Sequence, residues 1–411
     1  MKPKLLFLAP QNPYPPIDGG KIGIYYPVKY LSKYFEVYFV TPVKIIDERV
    51  RYAIKHFECL GIKYFPVEKD TDDNIYELIK NVFLEVPFKW HKYFSKKIYN
   101  LCKDLISSEK VMYIFTSTPH MALYSIGLKK RFPEIKIFLR EHNIEFSLIN
   151  QFIDVTKNPL FKIIGKWQLK KTKTLEQRYW ELFDKIFFIS DYDIEIAKKL
   201  KPKLTNKIYL LYDGFELNNV SYKNKDNYDH KFIIPSNINS FQNKVNMKWF
   251  LENIWIPSLG YIKQKKYVLS ITGGEENQWK KILGYNNLEY LNVKSLGVVE
   301  NIDEVLSKSK YIISPTIMGS GIRLKILHGM ALGKVVMATK YDVLSIKVFR
   351  DMDNVIEFEN ATEFFKKIRK LEAELSLYNA LSKKAIETIK YYFSWENYAK
   401  TIYNHFIKDD L

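Results

Sequence analysis

Residues 311–339 constrain the fold of this chain more than any other segment; their sequence is YIISPTIMGSGIRLKILHGMALGKVVMAT. A short apolar run stops at Pro315, apolar residues then recur at helical spacing from about residue 322, and a second apolar run follows Gly333. This order predicts a strand, a loop, a helix and a second strand. Such a βαβ unit belongs to a parallel sheet.

The loop of this unit is a candidate anion site. Gly319, Ser320 and Gly321 carry little side chain, and Arg323 and Lys325 are expected in the first turn of the helix. Free backbone N–H groups and the helix dipole favour an anion at such a helix start, and two cations would add to the attraction. The alternative is an ordinary glycine turn whose cations are solvated, and the segment alone does not decide between the two.

The same alternation of strand and helix runs through the whole chain. With 411 residues, 47% of them hydrophobic, the chain is long enough for two cores. A polar segment at about residues 220–230 is typical of a linker. We therefore predict two doubly wound α/β domains, residues 1–222 and 223–393, with a final helix at about 394–411 that packs back on the first domain. Strands are predicted at residues 4–9, 37–40, 63–66, 111–116, 136–140, 185–190, 208–211, 231–235, 267–272, 290–296, 311–314 and 335–337.

Ligands of doubly wound domains bind at the carboxyl ends of the strands. In the first domain, the segments that follow strand ends include Gly19 and Gly20, residues 116–120 and residues 141–145. These are its candidate site residues.

The net charge and the two cysteines limit which partners, metals and cellular compartments are expected. The net charge is +18, but only eight of the 64 basic residues are arginine, so a general lysine bias explains much of the basicity. No base-reading motif is visible, and we expect no nucleic-acid partner. Cys59 and Cys102 lie far apart without metal-ligand spacing, which predicts neither a disulfide framework nor a zinc site. The chain has no run of 18 uncharged apolar residues and no signal-peptide pattern, so we expect a cytoplasmic protein.

One helix has a basic stripe. In the helical segment of residues 158–184, Lys162, Lys166, Lys170 and Lys173 follow one another at spacings of four, four and three. We expect the opposite face to carry the apolar residues, which are Ile163, Ile164, Trp167, Leu169 and Leu175. Such a helix suits a peripheral contact with an anionic membrane surface, at the inner face of the membrane. A solvated helix face is the alternative.

Six segments in the same order resemble a known family. They are PYPPIDGGK, LREHNIEF, FDKIFFISDYD, IYLLYDGFE, SGIRLKILHGMALGKVV and FSWENY. The chain resembles family 4 glycosyltransferases (group 1 type) of the GT-B architecture over nearly its whole length. This implies two Rossmann-like domains that face each other across a cleft.

The resemblance also implies an activity and its residues. Such enzymes bind a nucleotide-sugar donor mainly on the second domain and the acceptor mainly on the first, commonly without a metal or other cofactor. His142 of LREHNIEF matches a histidine near the reacting sugar and is the catalytic candidate. The donor-binding candidates are Gly19, Gly20, Ser236, Gly273, Gly319, Ser320, Gly321, Arg323, Lys325 and His328.

The chain departs from the family pattern at three places. Ser320 and His328 stand where the donor helix commonly carries two glutamates, and a histidine cannot chelate two ribose hydroxyls as a carboxylate can. Pro235 and Ser236 occupy a segment that usually opens with a phosphate-contacting glycine, and proline has no N–H to donate.

Two hypotheses follow. The first is a retaining, metal-independent glycosyltransferase that moves a sugar from a nucleotide sugar to a glycan or lipid-linked acceptor. The second is a GT-B-fold partner subunit with impaired donor binding and no catalysis of its own.

Overall fold

The computed structural model describes residues 2–81, 84–216, 228–319 and 321–407. The chain divides into two compact domains, one of Met1–Gly214 with Trp395–Leu411 and one of Phe215–Ser394. The domain boundary predicted between residues 222 and 223 lies outside the described residues, as do most of the predicted linker and Ser320.

Each domain is built on one parallel sheet. The first sheet has seven strands in the order β3-β2-β1-β4-β5-β6-β7, and the second has six in the order β10-β9-β8-β11-β12-β13. The strands are β1 (Lys4–Leu8), β2 (Glu36–Val43), β3 (Lys63–Glu68), β4 (Tyr113–Thr116), β5 (Lys136–Glu141), β6 (Lys185–Phe188), β7 (Ile208–Leu210), β8 (His230–Ile234), β9 (Leu269–Ile271), β10 (Val293–Ser295), β11 (Ser309–Ser314), β12 (Val335–Thr339) and β13 (Ile356–Phe358). The sheets confirm two doubly wound Rossmann-like domains.

Helices connect the strands in both domains. They are α1 (Gly19–Leu31), α2 (Glu48–Cys59), α3 (Ile75–Lys80), α4 (Phe88–Tyr93), α5 (Lys96–Glu109), α6 (Ala122–Arg131), α7 (Glu145–Val155), α8 (Pro159–Leu182), α9 (Asp191–Leu200), α10 (Phe241–Phe250), α11 (Leu259–Gln264), α12 (Glu276–Leu283), α13 (Ile302–Ser307), α14 (Leu324–Ala331), α15 (Lys340–Ser345), α16 (Ala361–Ala373), α17 (Leu375–Tyr392) and α18 (Trp395–Ile407). No described helix is both long enough and apolar enough to cross a membrane.

The first sheet has a core on each face. In β1, Leu6 and Leu8 enter one apolar cluster, whereas Leu5 and Phe7 enter the cluster on the other side. Successive side chains of a strand point to opposite faces, so a strand that is covered on both sides is expected to be a nearly continuous apolar run. The second domain has its own cluster, which includes Phe232 of β8.

Helix α18 belongs to the first domain. Its Trp395 stacks on Tyr26 of α1 with ring centroids 5.7 Å apart, and Lys33 forms an ion pair with Glu396. A Cβ added to Gly214 would lie 2.5 Å from Trp395, so only glycine lets the chain pass this close to the indole.

Two helix starts differ from those predicted. Helix α1 begins at Gly19, about three residues early, because the Asp18 side chain accepts a hydrogen bond from the Lys21 N–H at 2.9 Å and caps the helix. Helix α14 begins at Leu324, later than predicted, and Arg323 is its N-cap rather than a residue of its first turn.

The strand orders locate the topological switch point of each domain. In the first sheet β1 pairs with β4, and in the second β8 pairs with β11. The loops that follow such a pair of strands diverge to opposite faces and leave a crevice between them, which is where ligands of open α/β sheets bind. In the second domain the loop after β11 contains Gly319 and leads to Arg323.

Candidate functional sites in the two domains

The loop between β11 and α14 is hydrogen-bonded to α10, the helix that follows the neighbouring strand β8. Asn246 of α10 accepts hydrogen bonds from the N–H groups of Ile317 and Met318, at 3.0 and 3.2 Å. Helix α10 follows β8, so this one amide ties α10 to the loop after β11 across the switch point. Tyr341 also donates its hydroxyl to the Gly319 carbonyl. These hydrogen bonds restrain the glycine loop from two sides.

Arg323 lies against this loop. A Cβ added to Gly319, whose φ is +130°, would lie 2.2 Å from the Arg323 guanidinium, so the absent side chain leaves room for the cation. The Arg323 Nε donates to Asp342 at 3.4 Å. Asp342 is buried and also accepts from Ser314 at 2.6 Å. Burial raises the pKa of the Asp342 carboxyl, although Arg323 opposes that shift.

Lys325 occupies the first turn of α14 and is half-buried. Burial lowers the pKa of its ammonium to about 8, because the charged form loses its water. Within the described part of the chain, no hydrogen bond or ion pair to another residue compensates this cation. A desolvated cation at a helix N-terminus, beside a glycine loop, favours the binding of an anion.

His328 lies one turn further along α14. Its Nε2 is hydrogen-bonded to the Asp303 carboxylate of α13, and this bond lowers the pKa of the Asp303 carboxyl. The imidazole also packs on Phe215, with ring centroids 5.1 Å apart. The residue that replaces the family's second glutamate is thus engaged with a carboxylate of its own domain.

Ser236 and Gly273 belong to two loops that touch through their backbones. The Ser236 N–H donates to the Thr272 Oγ1 at 3.1 Å, and Gly273 has a φ of +82°. The Ile238 N–H donates to the Gly273 carbonyl at 3.0 Å. The close packing of these two backbones explains why residue 273 is a glycine. The Ser236 N–H already donates to a group of the protein.

In the first domain, Gly19 and Gly20 form the exposed first turn of α1. The Asp18 carboxylate caps this turn. A Cβ on Gly20 would lie 3.2 Å from the Gln11 amide nitrogen, so the loop after β1 passes close to the helix start. The negative cap lowers the attraction of this helix start for a phosphate.

His142 follows β5 and faces α1. An added Cβ on Gly23 would lie 3.5 Å from both the His142 Nε2 and the Arg140 guanidinium, so glycine makes room here for two polar groups. Burial, and then the charge of Arg140, lower the pKa of the imidazole well below its usual range. His142 is neutral at pH 7, and it can exchange hydrogen bonds with a hydroxyl without carrying a charge.

Arg140 is itself buried and compensated. Its guanidinium pairs with Asp213, which follows β7, and donates to the Gly23 carbonyl at 2.5 Å. The Tyr398 ring of α18 lies 5.6 Å from the guanidinium carbon. This cluster joins β5, α1, α18 and the segment after β7 around the catalytic candidate.

Three carboxylates near this part of the first domain are buried. Glu141 and Glu145 flank His142 in the sequence, and Glu176 belongs to α8. Glu176 accepts from the N–H groups of Glu145 and Phe146, at 2.8 and 3.1 Å, and so caps α7. Burial raises the pKa of Glu176, and its neighbours Glu141 and Glu145 raise it further. Burial also acts on Glu145, but Lys89 and His120 outweigh it and lower the pKa of that carboxyl.

Buried polar atoms remain at the ends of β4 and β5. The Ser117 and Thr118 hydroxyls and one Glu141 carboxylate oxygen have no hydrogen-bond partner among the described residues. Within the same residues, no group of three His, Cys, Asp or Glu side chains is placed to hold a metal ion. Thr118 and Glu141 fall in the strand-end segments that the sequence singles out.

Sequence reasoning missed the residues that support these groups. Asn246, Asp342, Glu176 and Lys89 lie far from the motifs and were given no role. The scarcity of arginine was a usable signal for Arg140, since it is one of only eight in the chain. No signal of this kind exists for the others, because their partners are distant in sequence.

Known structures share this fold. A glycosyltransferase from Rickettsia africae ESF-5 is similar at 16% identity, with 99% of each chain covered and a TM-score of 0.66. Anabaena Alr3699/HepE, in complex with UDP-glucose, is similar at 11% identity, with 99% of this chain and 100% of that chain covered and a TM-score of 0.62. These likenesses confirm the GT-B class of fold.

Comparison of the sequence with protein-family models finds a match in the second domain. No curated protein matches this chain in sequence. Residues 230–374, which include β8 to β13 and the candidate anion site, match the model of the family described as Glycosyl transferases group 1. The match to this family therefore covers the second sheet from β8 to β13 and does not reach the first domain.

Proposed function

We propose that this chain is a retaining, metal-independent glycosyltransferase, of the hexosyltransferase type, that acts in surface polysaccharide or glycoconjugate biosynthesis. It would transfer a sugar from a nucleotide-sugar donor to a glycan or lipid-linked acceptor. The observation that carries the proposal is Lys325, a desolvated cation at the start of α14, beside Gly321 and within the residues that match the group 1 family. HepE is a relative in fold whose structure contains UDP-glucose.

The chemistry asks for charge stabilisation on the leaving group. The bond between the sugar C1 and the β-phosphate oxygen breaks, and the nucleoside diphosphate leaves with the electron pair. The acceptor hydroxyl oxygen bonds to C1 on the same face of the sugar and releases its proton. Lys325, Arg323 and the N–H groups at the α14 N-terminus would stabilise the charge that develops on the diphosphate.

The first domain would supply the acceptor side. The role proposed for His142 is a hydrogen bond to a hydroxyl of the reacting sugar, which suits an imidazole that burial keeps neutral. The hydroxyls of Ser117 and Thr118 at the end of β4 are candidates for contacts to a glycan.

Nucleotide binding is tested by thermal unfolding with UDP, GDP, ADP and their sugar conjugates. A ligand at 100 times its dissociation constant stabilises a protein by about 2.7 kcal/mol. We expect one nucleotide to raise the melting temperature, and Lys325→Met to abolish that rise. Lys281→Met, which changes an exposed lysine of α12, is the matched control and should retain it.

Absence of any shift in folded protein would overturn donor binding and favour the partner-subunit hypothesis. The His328–Asp303 pair is the specific observation on that side, because it engages the residue in the ribose-contacting position. The stereochemistry has its own test. Slow hydrolysis of the bound donor, followed by ¹H NMR, should release a sugar with the anomeric configuration of the donor; the opposite anomer would overturn retention.

A further inference from the structure

Helices α7 and α8 form a hairpin whose tip exposes apolar side chains. A Cβ added to Gly165 of α8 would lie 2.8 Å from Ile153 of α7, so the two helices are closely packed there. At the end of the hairpin lies the apolar tip, made of Val155, Leu160, Phe161 and Ile163. Their exposed fractions are 38%, 60%, 41% and 67%.

The part of α8 that follows the apolar tip carries several lysines and no acidic residue up to position 175. Residues 157–175 contain six lysines and no Asp or Glu. Lys166 and Lys170 follow Ile163 at i+3 and i+7, so all three share the exposed face of α8. No described carboxylate forms an ion pair with either lysine, although many lysines elsewhere in the chain are paired.

This arrangement differs from the one that the sequence predicted. Ile163 was expected on the face opposite the lysines. Leu169 and Leu175 pack against the core as expected. The most buried positions of α8 before its last turn are small or polar, namely Gly165, Gln168, Thr172 and Glu176. The carboxylate of Glu176 caps α7, so these positions are used for hydrogen bonds and close helix packing. The exposed isoleucine stays beside the cations.

We propose that the apolar tip and the lysine face of α8 dock on an anionic lipid bilayer. Apolar side chains can enter the acyl boundary while flanking lysines stay at the headgroups, each contributing about 1 kcal/mol near an anionic surface. Trp167, with the Lys171 ammonium 3.5 Å from its ring centroid, has the amphipathic character of a residue at that boundary.

A bilayer is favoured over nucleic acid by the apolar tip. A phosphate backbone attracts lysines equally well, but it offers nothing to exposed leucine and isoleucine side chains. A lipid surface satisfies both parts of the arrangement at once. This inference is independent of catalysis, and its test uses no activity measurement.

Binding is measured by co-sedimentation of the full chain with vesicles. We expect binding to vesicles that contain phosphatidylglycerol and not to pure phosphatidylcholine. We expect Leu160→Gln/Ile163→Gln to weaken binding about tenfold or more, because this variant removes apolar side chains from the tip. Lys166→Gln/Lys170→Gln should weaken it by a similar factor, because two lysines contribute roughly 1 kcal/mol each. The matched controls are Leu344→Gln/Leu375→Gln, which changes two equally exposed leucines, and Lys96→Gln/Lys97→Gln. These should bind as the unchanged protein does.

Insertion is measured separately with a polarity-sensitive fluorophore. In a Cys59→Ser background, which leaves only the buried Cys102, the dye is attached to Ile163→Cys or, as control, to Leu375→Cys. A blue shift on anionic vesicles for the first position alone is expected. The proposal is overturned by no vesicle binding, by loss of binding in the controls as well, or by retention of random duplex DNA without vesicle binding.

Discussion

The backbones of Gly273 and Ser236 are so close that a Cβ on Gly273 would lie 1.9 Å from the Ser236 carbonyl oxygen. Gly273 also has a φ of +82°, a conformation that other residues adopt at a cost of roughly 1–2 kcal/mol. The contact joins the loops that follow β8 and β9. It therefore fixes one wall of the crevice at the second switch point.

Gly273→Ala should destabilise the second domain by about 3 kcal/mol or more, because both the clash and the backbone strain must be relieved. Urea unfolding measures this loss. The control is Gly260→Ala in α11, where an added Cβ meets nothing within 4 Å. That change should leave stability equal or raise it by up to about 1 kcal/mol. Equal effects of the two substitutions would contradict the close approach.

Removing one partner of the buried Arg140–Asp213 ion pair should lower the free energy of unfolding strongly. Arg140→Met leaves the Asp213 carboxylate buried without its partner, and we expect a loss of about 3–5 kcal/mol. Arg140→Met/Asp213→Leu should lose less than the sum of the single changes. The matched pair is Lys33→Met/Glu396→Gln, which removes an exposed ion pair and should cost at most about 1 kcal/mol. Additive losses at Arg140 and Asp213 would show that the two side chains are not coupled.

The stability of the first domain should depend on pH through His142. Its folded pKa is lowered by burial, so below about pH 6.5 the unfolded chain takes up a proton that the folded protein does not. Stability should therefore fall as the pH drops from 7.5 to 5.5, because protonation of this group favours the unfolded chain. His142→Gln should remove that part of the slope, whereas the exposed His91→Gln should not. Chemical denaturation at each pH provides the measurement, and an unchanged slope in His142→Gln would refute the assignment.

Nucleotide affinity should fall as the pH rises through the pKa of Lys325. That pKa is about 8 in the free protein, so at pH 9 only about one tenth of the molecules carry the charge. A diphosphate stays ionised over this range. We expect the dissociation constant to rise up to about tenfold between pH 7 and pH 9. In Lys325→Arg the dependence should disappear, because arginine keeps its charge. Calorimetric titration at each pH, with Lys281→Arg as the control, checks both expectations.

The strand and helix pattern of the sequence predicted the fold class and every strand of the two sheets except β13. Both faces of β1 are covered, so its buried positions are apolar on either side, and this shows directly in the uninterrupted apolar run of residues 5–9. Helix boundaries were less certain. Asp18 shows why, since a single side-chain cap moved the start of α1 by about three residues.

The positions of candidate residues followed from local sequence, but their environments did not. The glycine loop, Arg323 and Lys325 are adjacent in the chain, so their grouping could be predicted. The lowered pKa values of His142 and Lys325 could not, because burial depends on what packs around each group. His328 was judged by its residue type alone, and its partner Asp303 comes from another helix.

The sequence by itself determined two parallel-sheet domains, the glycine loop before α14 and the residues that the loop brings together, because hydrophobic periodicity and glycine act over short distances. Only the tertiary structure decided that Asn246 fixes that loop, that Asp213 neutralises Arg140, and that Ile163 faces outward beside lysines. These depend on contacts between residues far apart in the chain. Such contacts are set by packing, which no local pattern specifies.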